Sequence, residues 1–407
     1  MIKKHHRPIT FARVSLLVFT LCVLCGLCVK TNAQTFTQVH PGVEHAQVEH
    51  KLGSDPVKIN LLRLDLKKVR LDVHHALDKA IGLETTSSIA TRKGAIAAIN
   101  AGFFRLDKSA WAGDAAGILK IDGNLLSEAA NNRISVSIRN EKKKTDVKFS
   151  HATTRSGMAF SKEDVLHFDG INRERKPNEV VLFTPDFNGT TLTPPDGLEI
   201  VLTKCNKVFR WWCANAEISQ DLGDSSIPQD GLIVSIGKDA LDKASLFLKR
   251  VKGKAPPRAL DQLFRVARVI EVPDQLEQEF LSKAEDITNG VSQLIKNGKI
   301  DTTWEQEKAS KAFAETRHPR TAVAKLKDGK FLMMTVDGRQ PGVSVGMSLQ
   351  ELAEYLFSLG AIDAMNLDGG GSTTMFLDGK VVNKPSDASG ERKIGDAIVV
   401  TLRNKKK

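Results

Sequence analysis

The chain has 407 residues, of which 41% are apolar and 26% are charged. This composition is typical of a globular protein and excludes a wholly disordered, a collagenous or a multi-span membrane protein. The net charge of +11 favours an acidic partner such as nucleic acid or an anionic substrate. At roughly 150 residues per domain, the length predicts about two to three domains, or one large domain with insertions.

The first 33 residues have the pattern of a secretory signal. A basic start is followed by an uncharged run at residues 14–29 and by small residues at 31–33. The run is shorter than the roughly 20 apolar residues of a membrane span, so a cleaved signal is favoured over a retained anchor. Cleavage after Ala33 removes five basic residues and lowers the net charge from +11 to +6. We therefore predict an exported protein, periplasmic or extracellular, without a stable membrane span.

The cysteines divide in the same way. Three of the five lie inside the uncharged run and leave with the signal, so the mature chain keeps Cys205 and Cys213. An even pair in an exported protein predicts a disulfide, which would close a short local loop. Two free buried thiols are the alternative.

Short apolar runs separated by turn residues predict a strand-rich chain. Residues 57–61, 69–73 and 134–138 alternate between apolar and polar, and Asp122-Gly123 is a hairpin signal within residues 116–125. Residues 305–316 and 348–359 are predicted to be helices, the second with a capping box between Ser348 and Glu351. Many strands with few helices predict the α+β class: mixed β-sheets with a few helices in a single large catalytic domain.

The densest candidate for chemistry is the run Asn366-Leu367-Asp368-Gly369-Gly370-Gly371-Ser372. Three glycines after a carboxylate let backbone N–H groups approach an anion without side-chain hindrance. The run lacks the Lys of a phosphate-binding P-loop and the ligand spacing of a calcium-binding EF-hand. A structural turn is the alternative, but the adjoining Asn366 and Asp368 favour a functional site.

Three further clusters follow or precede predicted strands: Asn100-Ala101-Gly102-Phe103-Phe104, His318-Pro319-Arg320-Thr321 and Asp337-Gly338-Arg339. Arginine suits planar recognition of phosphate or carboxylate. For each cluster a structural interpretation stays open: an aromatic core for the phenylalanines, a surface position for a lone arginine, and a hairpin turn for Asp-Gly.

Together, and in this order, the four clusters resemble the signature blocks of the phosphodiester glycosidase family. Val382-Asn383-Lys384-Pro385-Ser386 and Glu391-Arg392 also lie where that family has an Asn-x-Pro-Ser turn and an arginine. The resemblance covers residues 90–402 and is specific in the last 90 residues. In the middle the family usually has Gly-x-Pro-x-Leu, whereas this chain has Gly290-Val291-Ser292-Gln293-Leu294.

The resemblance implies a domain division. Residues 1–33 are the signal, 34–89 a strand-rich N-terminal segment, and 90–402 the phosphodiester glycosidase domain with a variable middle at about 140–315. Residues 403–407 form a basic tail.

The resemblance also implies hydrolysis of a sugar from a sugar-1-phosphodiester. Phosphate is a good leaving group, so the site needs charge stabilisation for it and a carboxylate at the anomeric carbon. We expect Arg320 and Arg339 to hold phosphate, and Asp368 and Asp337 to be the catalytic carboxylates. The expected substrate-binding residues are Asn100, Gly102, Phe103, Thr321, Asn366, Gly369, Gly370, Gly371, Ser372, Asn383 and Arg392. No cofactor is certain; Asn and Asp oxygens also suit a divalent cation such as Ca²⁺.

Two other functions explain part of the pattern. A non-catalytic binding module for anionic cell-envelope glycans needs the Gly-rich loop and the arginines but no turnover. A nucleic-acid binder needs a basic surface interleaved with aromatics, and the basic residues 238–258 hold only Phe247. We therefore expect a glycan or sugar-phosphodiester partner and no nucleic acid.

Overall fold

The computed structural model describes residues 34–159, 165–206, 211–219, 223–245, 248, 264–273 and 275–403. The predicted signal at residues 1–33, parts of the basic segment 238–258 and the last four residues of the tail lie outside the described residues. Two units are distinguished, residues 1–35 and residues 36–407, and every element named below lies in the second. No helix among the described residues is long and apolar enough to cross a membrane.

The described part of the chain contains 28 strands. The first ten are β1 Thr37–His40, β2 Val43–Leu52, β3 Asp55–Leu64, β4 Val69–His75, β5 Glu84–Thr85, β6 Ala97–Asn100, β7 Leu119–Ile121, β8 Asn124–Ser127, β9 Ile134–Asn140 and β10 Thr145–His151. The next eight are β11 Thr153–Ala159, β12 Val165–His167, β13 Gly170–Ile171, β14 Val180–Phe183, β15 Gly197–Asn206, β16 Trp211–Ile218, β17 Leu232–Gly237 and β18 Phe264–Glu271.

The last ten strands are β19 Asp286–Asn289, β20 Gln293–Lys296, β21 Lys299–Ile300, β22 Arg320–Leu326, β23 Phe331–Val336, β24 Ala361–Asn366, β25 Met375–Leu377, β26 Lys380–Val381, β27 Lys393–Ile394 and β28 Asp396–Leu402. The described α-helices are α1 Thr86–Arg92, α2 Gln275–Lys283, α3 Lys311–Glu315 and α4 Leu349–Ser358. Short 3₁₀ segments lie at Ala76–Asp78, Lys238–Ala244 and Gly370–Ser372.

Four larger sheets and one two-stranded ribbon, β27-β5, organise these strands. Sheet A has the order β1-β2-β3-β23-β22-β24-β20-β21, and sheet B the order β26-β25-β6-β28-β4. Sheet C has the order β10-β9-β19-β7-β8. The inserted sheet, formed by residues 153–271, has the order β12-β11-β18-β16-β15-β17-β14-β13. Sheets A to C therefore combine strands from both sides of this insertion.

The central strands of sheet A, such as β22 and β23, are buried on both faces, whereas β1, β2 and β21 are partly exposed. In β3, Leu62 and Leu64 face the central core, which sheets A to C share with Val181 and Phe183 of the inserted sheet. Ile59 and Leu61 face a second cluster beneath α4. Burial on both faces explains the continuous apolar run of β23, because a half-exposed strand would alternate.

The α+β prediction is wrong. The protein is a predominantly antiparallel β-structure: among the described strand pairs only β13 and β14 run parallel. The helices are short and lie against outer sheet faces, for example α4 under sheet A and α1 under sheet B. The core is therefore formed by sheets that pack on one another, and the helices only cover outer faces of these sheets.

The helix predictions differ in accuracy. The capping box of α4 is present, since Ser348 Oγ accepts from Glu351 N and Glu351 accepts from Ser348 N. Residues 305–316 are helical only over α3, because Ser310 caps the helix by accepting from Phe313 N at 3.1 Å. The preceding Glu307 instead ties two distant backbone segments, as its carboxylate accepts from Ile134 N and Gln293 N.

The predicted disulfide is confirmed. Cys205 and Cys213 are paired on β15 and β16, neighbouring strands of the inserted sheet.

Candidate functional site

Three asparagines mark the ends of three strands from three different sheets. Asn100 ends β6 of sheet B, Asn289 ends β19 of sheet C, and Asn366 ends β24 of sheet A. All three are fully buried. A buried amide is almost always hydrogen-bonded, so these three side chains are expected to link the sheets through hydrogen bonds. They lie where the apolar central core borders on polar residues.

Asn100 joins segments that are far apart in the sequence. Its Nδ2 donates to the backbone oxygen of Asp368 at 2.6 Å, and its Oδ1 accepts from Thr321 Oγ1 at 2.8 Å and from Thr374 N at 3.0 Å. The predicted motifs around residues 100, 320 and 368 are thereby brought to one place.

Asn366 also binds backbone. Its Nδ2 donates to the carbonyls of Val291 and, at 2.7 Å, of Leu367. Backbone bonds from Val291 N to Asn366 O and from Asn366 N to Ser292 O hold the 290–294 segment alongside. Asn366 Oδ1 has no hydrogen-bond partner within the described residues, although it is buried. The segment in which Ser292 replaces the family's proline therefore lies at the site.

Asp368 lies two residues after the end of β24 and is half-buried. Its Oδ1 accepts from Gly369 N at 2.9 Å. Burial raises the pKa of Asp368 to about 6, and the charge of Asp396 acts in the same direction, whereas the Ser372 hydroxyl, Gly369 N–H and Arg392 lower it. A carboxylate with such a pKa is ionised at neutral pH and can still exchange a proton in this range.

Asp396, at the start of β28, is a second carboxyl group in this region, which sequence reasoning missed. It is 2% exposed, and its oxygens accept from Gly102 N at 2.9 Å and from Thr288 Oγ1 at 2.5 Å. Burial raises its pKa. Ala101 bridges the two aspartates, since Asp368 N donates to Ala101 O and Ala101 N donates to Asp396 O.

The three glycines form a tight turn against charged groups. Gly370 has a φ of 61°, which favours glycine, and a Cβ at Gly371 would lie 2.2 Å from both Arg392 Nη2 and Asp387 Oδ1. Gly369 N–H donates to Asp368, and Gly370 N–H donates to Pro319 O. Within the described residues only the N–H of Gly371 among these three makes no hydrogen bond, so the turn offers one donor and not three.

Arg339 is the most available cation of the site. A Cβ at Gly370 would lie 3.0 Å from its Nη2, so the guanidinium rests on the glycine turn. Its φ of 59° is unusual for a residue with a side chain. Arg339 is exposed and makes no ion pair or hydrogen bond within the part of the chain that the structure describes. It is therefore free to bind an anion.

Arg392 and Arg133 complete the positive charge around Asp368. Arg392 makes a two-bond ion pair with Asp387 at 2.7 and 3.0 Å and lies against Gly371. Arg133, another residue that sequence reasoning missed, lies over the Phe103 ring, and its Nε is buried without a hydrogen-bond partner in the described residues. Burial lowers the pKa of Arg133, and the charges of Glu307 and Asp368 oppose that shift.

Arg320 occupies a different environment from Arg339. It is 1% exposed, and its guanidinium donates to the carbonyls of Met347 at 2.8 Å, Phe313 at 2.7 Å and Thr316 at 3.1 Å. The guanidinium also lies over the Phe313 ring. Burial lowers its pKa to about 10. Most of its hydrogen-bonding capacity is therefore used within the protein.

Asp337 supports a turn. It is 4% exposed, and it accepts from Asn383 Nδ2 at 3.1 Å and from Lys384 N at 3.1 Å. Burial raises its pKa. Asn383 in turn donates to Thr373 O and accepts from Met375 N, which connects the turn to the glycine loop.

The expected site residues thus lie in one region, and Phe103 is held there by the bond between its N–H and Asn289 Oδ1 at 3.3 Å. The residues that were missed had weak signals. Asn289-Gly290 follows the mixed segment Glu285-Asp286-Ile287-Thr288, and Asp396 and Arg133 stand in no recognisable motif. No group of three or more His, Cys, Asp or Glu side chains suited to a metal ion occurs among the described residues.

Comparison with known proteins confirms the resemblance. Residues 227–401 match the family described as phosphodiester glycosidase. Over 111 residues the chain is 36% identical to N-acetylglucosamine-1-phosphodiester alpha-N-acetylglucosaminidase of Mus musculus, covering 25% of this chain and 21% of that protein. The chain therefore matches about a fifth of the length of this relative.

Solved structures match over more of the chain. A hypothetical protein from Synechocystis has a TM-score of 0.69 at 20% identity, covering 91% of this chain and 64% of that one. An exported-protein candidate of Burkholderia pseudomallei has a TM-score of 0.64 at 22% identity, covering 85% and 74%. At these identities the likeness concerns the fold.

Proposed function

We propose that this protein hydrolyses sugar-1-phosphodiesters, because residues 227–401 match the phosphodiester glycosidase family. Water replaces the phosphate at the anomeric carbon, which releases a free sugar and a phosphate monoester of the aglycone. The observation that carries the proposal is Asp368, a carboxylate with a pKa of about 6 beside a glycine turn flanked by Arg339 and Arg392.

The departing phosphate is the first group that the site must stabilise. Arg339 rests on the glycine turn and makes no hydrogen bond or ion pair within the described residues. The N–H of Gly371, a buried residue of the same turn, is also unpaired there. Preorganised donors stabilise charge most where it develops during reaction. We assign phosphate binding to Arg339 and Gly371, with Arg392 and Arg133 adding positive charge around Asp368.

Asp368 is the proposed carboxylate at the anomeric centre. It is ionised at neutral pH and therefore suited to stabilise positive charge on the sugar, to act as a nucleophile or to activate water. Asp396, which is connected to it through Ala101, is a candidate for a second carboxyl group that influences its proton affinity.

Other expected catalytic residues are better suited to positioning. Arg320 binds three backbone carbonyls, and Asp337 holds the turn at Asn383 and Lys384. Asn100 and Asn366 donate to backbone at the sheet junction. We propose that these four side chains keep Asp368 and Arg339 in place, while Phe103 and Ser372 line the site.

We further propose that the protein acts outside the cytoplasm. Two observations support this. In residues 1–33 a basic start is followed by an uncharged run and by small residues, as in a secretory signal. The confirmed disulfide fits an oxidising compartment.

The test is an assay for product. The purified protein is incubated with the methyl phosphodiester of N-acetylglucosamine 1-phosphate, a probe suggested by the relative's name, and with the corresponding glucose compound. We expect equal amounts of reducing sugar and methyl phosphate from at least one probe. Binding of a probe without turnover would instead support the glycan-binding module and would overturn hydrolysis.

A further inference from the structure

A polar groove runs along the edge of sheet A, beside the proposed site. Two adjoining cavities of about 360 and 390 Å³ form it, and they share Glu49, Lys58 and Val343 in their walls. Each volume falls within the range of about 300–1,000 Å³ that is typical of small-molecule sites. A ligand longer than one sugar unit can therefore extend from one cavity into the other.

The inner cavity adjoins the site through two residues. Asp337 and Asn383 both line it, and Asn383 is bonded to Thr373 O of the glycine loop at 3.0 Å. Gln340, which directly follows Arg339, bounds the same cavity and donates to Lys384 O at 3.2 Å. The inner cavity is thus lined by the chain neighbour of Arg339 and by a side chain that bonds to the glycine loop on which Arg339 rests.

The walls suit an acidic carbohydrate. Lys58 and Lys384 are exposed, and neither ammonium group makes an ion pair within the described residues. The amides of Gln47 and Gln340 offer donors and acceptors for hydroxyl groups. Val343, which is 39% exposed, supplies apolar surface for the face of a sugar ring. Two acidic side chains oppose this charge: Glu49, and Asp337, on whose pKa the charges of Lys58 and Lys384 act downwards against the effect of burial. With Lys51 in the outer cavity, the groove has three lysines against these two carboxyl groups.

We propose that this groove binds the aglycone of the substrate, and that it favours an aglycone that is an anionic saccharide. The proposal rests on the proposed function, because it places the phosphodiester at Arg339 and the rest of the substrate towards Lys58 and Lys384. The enzyme would accordingly prefer a phosphodiester embedded in an acidic glycan to one with a small alcohol.

Three probes that share the same sugar phosphate and differ only in the aglycone test this preference. N-acetylglucosamine 1-phosphate is esterified to methanol, to the primary hydroxyl of the reducing glucose of cellobiose, or to the same hydroxyl of cellobiouronic acid. We expect kcat/KM to rise in that order. The advantage of the cellobiouronic acid probe over the cellobiose probe should shrink in 0.5 M salt, because exposed charges are screened.

The double variant Lys58→Gln/Lys384→Gln provides the decisive comparison. It should lower kcat/KM for the cellobiouronic acid probe about five- to tenfold, the size expected for two exposed ion pairs, and leave the methyl probe unchanged. Lys299→Gln/Lys327→Gln, which removes one exposed lysine from β21 and one from the turn after β22, is the matched control and should leave the kcat/KM of all three probes unchanged. Equal rates for all three probes, or equal losses on all three, would overturn the proposal.

A direct binding measurement separates this proposal from the proposed function. If the wild-type protein hydrolyses none of the probes, calorimetry with free cellobiouronic acid still examines the groove. Binding that the Lys58→Gln/Lys384→Gln variant loses and the control retains would support an acidic-saccharide site without hydrolysis. Absence of binding to the wild type would overturn both the groove and its ligand class.

Discussion

The junction of sheets A to C and the inserted sheet satisfy their buried polar groups in different ways. At the junction, Asn100 bonds to residues that are 221 to 274 positions away in the sequence. In the inserted sheet, buried Glu199 accepts from Thr193, 6 positions away, and from Ser225, 26 positions away. The inserted sheet also has an apolar core of its own. Its polar contacts are therefore local, whereas those of the junction depend on the whole assembly.

This difference predicts that the two regions have different roles. The junction collects charged groups that have few protein partners, such as Arg339, around Asp368. Around the inserted sheet, by contrast, charged groups are paired: Arg173 with Glu179 and with Glu128, which lies outside the insertion, and Arg175 with Asp196. We expect substitutions at the junction to change catalysis and those in the inserted sheet to change stability alone.

The largest effect is expected at Asp368. Asp368→Asn keeps the size of the side chain and removes its charge, so kcat should fall at least about 10³-fold. The measurement is reducing-sugar release from the methyl probe, with circular dichroism to verify the fold. An active Asp368→Asn variant would show that the central carboxylate lies elsewhere, and Asp396→Asn would then be the next variant to measure.

The next largest effects are expected at Arg339 and Arg320, whose substitutions should affect different properties, activity for Arg339 and stability for Arg320. Arg339→Ala removes an exposed, unpaired guanidinium and should lower kcat/KM about 10²-fold with little change in Tm. Arg320→Ala leaves three backbone carbonyls without their donor and should lower Tm by several degrees. Thermal melts and kinetics on both variants check this. Equal losses of stability would remove the distinction between a binding and a positioning arginine.

The pH dependence of kcat/KM is expected to show a change of about tenfold between pH 7.5 and pH 5. If Asp368 acts as the ionised carboxylate, activity is lost as it becomes protonated. Since its pKa is raised to about 6, kcat/KM should be constant near pH 7.5 and should fall about tenfold at pH 5. An ordinary aspartate would lose activity only around pH 4. A loss that begins above pH 6 with rising pH would instead assign Asp368 as an acid.

The smallest effect on activity is expected in the inserted sheet. Cys205→Ala/Cys213→Ala opens a loop with a sequence separation of 8, which should cost about 2–3 kcal/mol of unfolding free energy. Activity on the methyl probe should stay within about twofold. A large loss of activity in this variant, at a temperature where it remains folded, would contradict the division between the two regions.

The sequence was most informative where local chemistry decides the structure. Asp122-Gly123 lies between β7 and β8, and Ser348 and Glu351 form the capping box of α4. It was least informative where distant segments meet. No feature of the local sequence indicates that β3 pairs with β23. The predicted fold class was therefore wrong, although many strands were correctly located.

The same limit applies to the site. The glycine run and Arg339 could be identified, because unusual residue types stand together in the chain. Asp396 could not, since its importance depends on Gly102 N and Thr288 Oγ1, which approach it only in the folded protein. The roles of Arg320 and Asp337 also depend on burial, which a lone arginine or an Asp-Gly pair does not reveal.

The pairing of β4 with β28 has a consequence for biosynthesis. Residues 69–75 hydrogen-bond with residues 396–402, so sheet B cannot close until β28 has been made, long after β4. Asp396 belongs to that late strand and contacts Gly102 and Thr288, which are synthesised long before it. A ribosome-bound chain that has not yet reached residues 396–402 would therefore lack the complete candidate site, and such long-range closure is expected to be a slow folding step.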